Sequence, residues 1–306
     1  MTELQDETVH LVVTSPPYWQ LKDYGHHRQI GFGESFEAYI DSLNVVWGEC
    51  HRVLQKGCRL CINVGDLFVR STHSERYRVI PINVEILRFC LTAGFDYMGP
   101  IIWQKVTTVN STGGAKVMGS YPFPRNGVVR KDYEHILLFK KQGQGPKPTI
   151  EQKGASRMTS KEWNTYFAGH WNIPGVRQQD HPAVFPEEIP KRLIKMFSFV
   201  GETVLDPFLG SGTTSLAAMN LARNSVGYEV NPEYRPMIER KVGFRGCGLF
   251  DRKVRVEFEE RSTSARRMDE RRAKLPYLFH DPKHFDKRVD PRRRGFGSKT
   301  ARAFSS

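Results

Sequence analysis

The 306-residue chain is poor in cysteine, in long apolar runs and in acidic residues. Its five cysteines, at 50, 58, 61, 90 and 247, are odd in number and lack a framework spacing. That excludes a disulfide scaffold and predicts a reducing, intracellular setting. Cys58 and Cys61 fall inside a strand pattern with no second pair, and His26, His27 and His51 lack ligand spacing, so no metal site is predicted. No apolar run reaches the ~18–20 residues of a membrane span. Met1 to Thr8 is polar and acidic and does not read as a secretory signal. The sequence holds no Gly-x-Gly-x-x-Gly and no Gly-Lys-Ser/Thr, which argues against a nicotinamide dinucleotide or a triphosphate. With 46 Lys and Arg against 33 Asp and Glu, the net charge is +13. Residues 244–306 supply 18 of those bases against 9 acids, so most of the excess lies in the tail. Such an imbalance suits a polyanionic partner, and it also suits plain solubility.

What is present alternates between strand and helix. Val9 to Val13 is a short β-branched run ended by Pro16-Pro17, which cannot continue a ladder. Ser35 to Leu54 has helical periodicity, with Gly57 as its predicted stop. Cys58–Val64, Tyr97–Lys105 and Glu134–Lys140 read as strands, and Ile80–Ala93 as a helix ended by Gly94. Ile189–Phe199 and Thr214–Ala222 are further helices, and Thr203–Leu205 and Ser225–Glu229 further strands. The alternation predicts an α/β fold with helices on both faces of a sheet. Segment 142–180 breaks the pattern and reads as an inserted surface segment or a small subdomain, away from the core. The Arg-rich stretch from about 262 lacks apolar periodicity and reads as disordered, or ordered only on a partner. Val254–Phe258 reads as a candidate edge strand.

Two loops carry chemistry. After the strand Thr203–Leu205 comes Asp206-Pro207-Phe208-Leu209-Gly210-Ser211-Gly212-Thr213-Thr214, opening a helix. Gly210 and Gly212 permit unusual backbone angles and clear side chains from a contact surface. By itself this reads equally as a tight turn. Glu229, about twenty residues on, follows the next strand, where an acid can hold two ribose hydroxyls. The pair fits an adenosine without phosphates. The other loop, Thr14-Ser15-Pro16-Pro17-Tyr18-Trp19, is made rigid by its prolines. The Ser15 hydroxyl and the Pro16 carbonyl can both accept from an exocyclic amine, and Tyr18 offers a π face to a planar base, worth ~1–3 kcal/mol. An amine conjugated to a ring is a poor nucleophile, so positioning is the help it needs.

Ser-Pro-Pro-Tyr after an apolar strand, with Phe-x-Gly-x-Gly downstream, resembles the amino-group DNA methyltransferases that modify N4 of cytosine or N6 of adenine. The order of the motifs is similar to the permuted, β-class arrangement of that family. Cys58–Asp66, Asp132–Phe139 and His181–Pro186 resemble further family motifs, and the likeness spans about residues 9–240. It implies a three-layer, Rossmann-like methyltransferase fold, α/β, with a mostly parallel sheet carrying one antiparallel strand. It implies S-adenosylmethionine as cofactor. Ser15, Pro16, Pro17 and Tyr18 are the implied catalytic residues. The implied cofactor residues are Asp206, Phe208, Gly210, Gly212, Thr213 and Glu229, joined by Asp66, His181 and Phe185. Serine at the first catalytic position is commoner among the N4-cytosine enzymes, which favours cytosine. The N6-adenine activity, an RNA methyltransferase and an inactive DNA-binding remnant stay as competing readings. The absence of a Pro-Cys pair argues against C5-cytosine methylation.

The resemblance also implies double-stranded DNA as partner, no membrane, and a cognate restriction endonuclease acting on the same site without necessarily binding the methyltransferase. A homodimer is compatible with it, and the setting is a prokaryotic cytoplasm in association with DNA. The predicted organisation is 1–141 as the catalytic half, 142–180 as a target recognition insertion, 181–243 as the cofactor half and 244–306 as a basic, largely disordered tail. Family members carry a strand and a Gly-Asp turn ahead of the catalytic strand. Only eight residues precede Val9, so the expectation is either a start placed late or a sheet one strand short at that place.

Overall fold

A computed structural model of the chain describes residues 1–20, 22–69, 78–105, 122–125, 129, 131–175, 185–242, 255–261 and 265–280. Seven strands form one sheet: β1 (Val9–Thr14), β2 (Leu54–Val64), β5 (Phe95–Lys105), β6 (Tyr133–Lys141), β7 (His170–Ile173), β8 (Thr203–Asp206) and β9 (Asn224–Gly227). Their order is β7-β5-β6-β2-β1-β8-β9, and only β6 runs against its neighbours. The mostly parallel α/β sheet with one antiparallel strand is therefore observed. β9 forms one edge; the sheet reaches seven strands because β7 adds one at the other. A separate hairpin pairs β3 (Leu67–Val69) with β4 (Arg78–Ile80).

Strand alternation builds two cores. Val12, Leu60, Ile62, Leu137 and Phe139 face α1 (Phe36–Val53) and α2 (Ile82–Thr92). Leu11, Val13, Cys61, Ile136 and Leu138 face α5 (Glu188–Phe197) and α6 (Thr213–Asn220). Ser35 caps α1 by accepting from the Ala38 amide. Gly57 does not stop this helix. α1 passes straight into β2 at Leu54, and Gly57 sits inside β2 at φ +75°, where a Cβ would lie 2.3 Å from the Gly145 nitrogen. The glycine is needed there for a close approach of two backbones.

Two expectations fail in the same way. Segment 142–180 is not all surface. It forms α3 (Ile150–Ala155), α4 (Ser160–Tyr166) and β7, and Tyr166, Trp171 and Ile173 are buried. Two capping boxes, Thr149 with Gln152 and Thr159 with Glu162, start those short helices. Part of the basic tail is also built in: α8 (Ala265–Arg272) lies along α1, and Phe279 is 3% exposed in the first core. Both segments are polar along most of their length and insert only a few aromatic anchors, so periodicity does not reveal them. Residues 255–261 form no strand.

Candidate active site

β1 and β8 are adjacent and parallel, with Val12 opposite Leu205. The helix after β1 packs on one face of the sheet and the helix after β8 on the other. The pair is thus a topological switch point, where a crevice opens beyond the strand ends. Both predicted loops leave into it.

Buried Asp206 locks them together. Its Oδ1 accepts from the Thr14 hydroxyl at 2.6 Å and the Phe208 amide at 3.0 Å, and its Oδ2 from the Thr214 hydroxyl at 2.7 Å. Burial pushes this carboxyl above its ordinary value, against the pull of its three donors. Asp206 therefore shapes the crevice with both oxygens engaged.

Gly210 (φ +52°) and Gly212 (φ +82°) hold the left-handed backbone of the turn, and Gly212 caps α6. Thr213 is buried at the helix start. Its hydroxyl and that of Ser211 receive the Lys241 ammonium of α7 (Arg235–Val242) at 3.2 and 2.7 Å. Phe208 turns its ring edge-on to the fully buried Trp47 of α1, with centroids 6.0 Å apart. Glu229 reaches back to the turn: Oε2 accepts from the Gly210 amide and Oε1 from the Asn231 amide, both at 2.8 Å. Burial raises its pKa, and those amides counter the rise.

On the other loop, the Ser15 hydroxyl and Pro16 carbonyl accept no hydrogen bond among the described residues. The Pro17 carbonyl is not free, because the buried Tyr39 hydroxyl donates to it at 2.8 Å. The Tyr18 hydroxyl points inward and accepts from the Gly65 amide at 3.3 Å. Burial, with the Glu134 carboxylate nearby, lifts this phenol well above its ordinary value. Glu134 itself accepts from Asn63 at 2.6 Å and pairs with Lys105. Asp66 pairs with Lys131 at 3.4 Å through Oδ2, while its buried Oδ1 has no partner among the described residues. The chain after Trp19 folds over toward the segment that follows Glu229: the Tyr24 carbonyl accepts from Asn231 Nδ2 at 2.8 Å and from the Tyr234 hydroxyl at 3.3 Å.

The structure thus brings Ser15, Pro16, Pro17, Tyr18, Asp66, Asp206, Phe208, Gly210, Gly212, Thr213 and Glu229 to the carboxyl ends of β1, β2, β8 and β9, at the switch point. Phe185 is half-buried against the second core, and His181 lies outside the described residues. Thr14, Tyr24, Tyr39, Asn63, Lys105, Glu134 and Asn231 were not singled out from sequence. Glu134 falls within the Asp132–Phe139 stretch, where its polarity in an apolar strand is the signal. Thr14 directly precedes Ser15; a lone threonine at a strand end carries no signal.

Residues 9–240 match the model of the DNA methylase family. The chain belongs to that family, the N6/N4 DNA methylases. It is 36% identical over 275 residues to the type II methyltransferase M.MjaI of Methanocaldococcus jannaschii, covering 80% of this chain and 88% of the relative. It is 33% identical to M.MthZI of Methanothermobacter thermautotrophicus, covering 79% and 73%. Among solved structures it resembles a putative DNA modification methylase of Thermus thermophilus complexed with S-adenosyl-L-methionine. That match has 37% identity, a TM-score of 0.65 and coverage of 78% and 87%. The cytosine-N4-specific PvuII DNA methyltransferase, at 18% identity and TM-score 0.57, shares the fold. The chain is thus an S-adenosylmethionine-dependent DNA methyltransferase related to type II modification enzymes. The crevice fits that cofactor: left-handed glycines clear one wall, and a carboxylate stands at the end of the neighbouring strand.

Proposed function

We propose that this DNA methylase transfers a methyl group to the exocyclic N4 of cytosine at a specific site in duplex DNA, as the modification half of a restriction–modification system. The observation that carries this reading is the unengaged pair of acceptors, Ser15 hydroxyl and Pro16 carbonyl, at the switch point. Two acceptors side by side suit the two N–H bonds of an amine and hold its nitrogen toward the cofactor. Serine here, where an adenine-directed site more often has aspartate, favours cytosine.

S-adenosylmethionine, when bound, supplies an electrophilic methyl group on a sulfonium centre. The Phe208–Gly212 turn would cradle it, Glu229 would accept from its ribose hydroxyls, and Thr213, Phe185 and His181 would border the rest. Tyr18, its hydroxyl tied to Gly65, presents its ring to a base flipped out of the duplex, a step that costs a few kcal/mol. Asp66 Oδ1 can take a further ligand N–H. Position and hydrogen bonding, with no covalent enzyme intermediate, are what these residues contribute.

For target reading, α3 and α4 stand at the wrong end. Gln152 and Ser156 bond the backbone of Val200, just ahead of β8, whereas the catalytic loops leave at the strand's other end. β5 and β7 end, at Lys105 and Ile173, on the same side of the sheet as those loops, and we assign target contacts to the segments that follow them. The test is to methylate mixed-sequence duplex DNA, digest it and identify the nucleoside by mass spectrometry. N4-methylcytosine is expected. N6-methyladenine would overturn the cytosine assignment, and modified RNA beside unmodified DNA would overturn the DNA assignment.

A further inference from the structure

Residues 265–280 lie beyond the span matched by the family model, yet they are tied to the back of the catalytic loop by two routes. The first is polar. Arg272 Nη2 donates to Glu34 Oε1 and to the Ser42 hydroxyl. Glu34 Oε2 accepts from the Gly31 amide at 2.8 Å, and the Glu34 carbonyl accepts from Trp19 Nε1 at 3.0 Å and Gln20 Nε2 at 3.3 Å. The second route is apolar. The Phe279 ring meets Phe36 edge-on at 5.6 Å, and Phe36 meets Trp19 edge-on at 5.3 Å. Phe279 is fixed in turn, its amide donating to Asp41 Oδ1 at 2.8 Å. Both routes end on Trp19, the residue after Tyr18.

The rest of the segment is anchored at intervals. Arg271 pairs with Glu49 at 3.4 Å. The Tyr277 ring lies against Phe89 at 5.9 Å and under the Arg88 guanidinium at 4.7 Å. Edge-to-face aromatic pairs at these distances add to simple burial, and an Arg–carboxylate bond shielded from water is among the stronger polar contacts. A tail that only covered apolar surface would not need a charged side chain aimed at Glu34, whose other oxygen and carbonyl already brace the loop.

We propose that residues 265–280 are a positioning strap for the catalytic loop, with Arg272 and Phe279 setting the placement of Ser15–Tyr18 through Glu34, Phe36 and Trp19. The inference rests on Ser15–Tyr18 being the catalytic loop. Both strap residues act through their contacts with Glu34, Ser42, Phe36 and Asp41. Displacement of a reacting group by about 1 Å can cost on the order of a hundredfold in rate, so a loosened strap is expressed in the transfer step before it is expressed in cofactor affinity.

The test uses the full chain and four variants: Arg272→Gln, Arg272→Lys, Phe279→Ala and Phe279→Leu. Three readouts are taken on each: thermal midpoint, S-adenosylmethionine affinity by calorimetry, and single-turnover methyl transfer with both substrates saturating. Arg272→Gln and Phe279→Ala are expected to slow transfer between about tenfold and a hundredfold while cofactor affinity changes less than about threefold. Arg272→Lys and Phe279→Leu are expected to recover part of the rate. Loss of rate only in proportion to loss of folded protein overturns the strap, and so does wild-type transfer by folded Arg272→Gln and Phe279→Ala. Ser15→Ala and Tyr18→Ala are run in parallel. Wild-type rates in those two overturn the catalytic-loop assignment instead, which separates the two failures.

Discussion

The Thr14 hydroxyl donates to Asp206 Oδ1 at 2.6 Å, joining residues 192 apart in sequence at the ends of two adjacent strands. This contact holds the Ser15–Tyr18 loop and the Phe208–Gly212 turn in one frame. Thr14→Val removes the donor while keeping the shape, and leaves Oδ1 with only the Phe208 amide. Hydrogen bonds to charged groups contribute about 1.5–3 kcal/mol, so the unfolding free energy from urea titration should fall by that order and cofactor affinity with it. Thr14→Ser should restore most of both. The pH dependence has a definite sign. The folded-state pKa of Asp206 lies above the ordinary 3.8. Its contribution to stability is therefore present below the unfolded value and lost as pH rises through the folded one. The Thr14 bond favours the ionised form, so the gap between wild type and Thr14→Val should be widest at neutral pH and narrow as acid protonates Asp206. A gap independent of pH would contradict this.

Tyr18 divides its work between hydroxyl and ring. Tyr18→Phe gives up the hydroxyl's contacts with the Gly65 amide and the Glu134 carboxylate, about 0.5–1.5 kcal/mol of stability for each, and should leave methyl transfer largely intact. Tyr18→Ala removes the ring, with a stacking loss of about 1–3 kcal/mol in base placement, and should impair transfer far more than cofactor binding. Because burial holds the phenol well above 10, wild type and Tyr18→Phe should share one pH–rate profile across the working range. Equal loss of transfer and of cofactor binding in Tyr18→Ala would contradict the role given to the ring.

Both loops and the sheet that carries them were legible because each depends on local chemistry: β-branched runs, a proline pair, glycines before a helix and an acid after the next strand. What stayed hidden depends on partners far away in sequence. Thr14 gains its meaning from Asp206, Tyr39 from the Pro17 carbonyl, and Glu134 from Asn63 and Lys105. Gly57 differs from its expected role for the same reason, since its conformation answers to the backbone of Gly145, far away in sequence, and has nothing to do with ending α1. The segments around Trp171 and Phe279 look polar because single aromatic anchors carry their burial.

Glu229 should make cofactor binding pH-dependent. Its pKa is raised by burial from an ordinary 4.5, and the carboxylate, not the acid, accepts from two hydroxyls. Affinity should therefore fall as pH drops through a midpoint above 4.5. Glu229→Gln should bind more weakly at neutral pH and lose that pH dependence. Calorimetric titrations of both proteins across pH provide the check, and parallel curves would remove Glu229 from the site.

Residues 281–306 hold eight Lys and Arg against three Asp. Phe279, two residues before this segment, is anchored against Phe36 beside the loop proposed as catalytic, at the end of the sheet where DNA is proposed to bind. Neutralised phosphates release counterions, and each contact adds about 0.9 to the slope of log affinity against log salt. A chain ending at His280 keeps the strap and should keep cofactor affinity and the single-turnover rate at saturating DNA. It should bind DNA more weakly at low salt, with a shallower salt slope and the same sequence preference, because phosphate contacts carry no base information. Binding isotherms on cognate and scrambled duplexes over a salt series measure this directly. An unchanged slope would show that the basic segment does not meet the backbone.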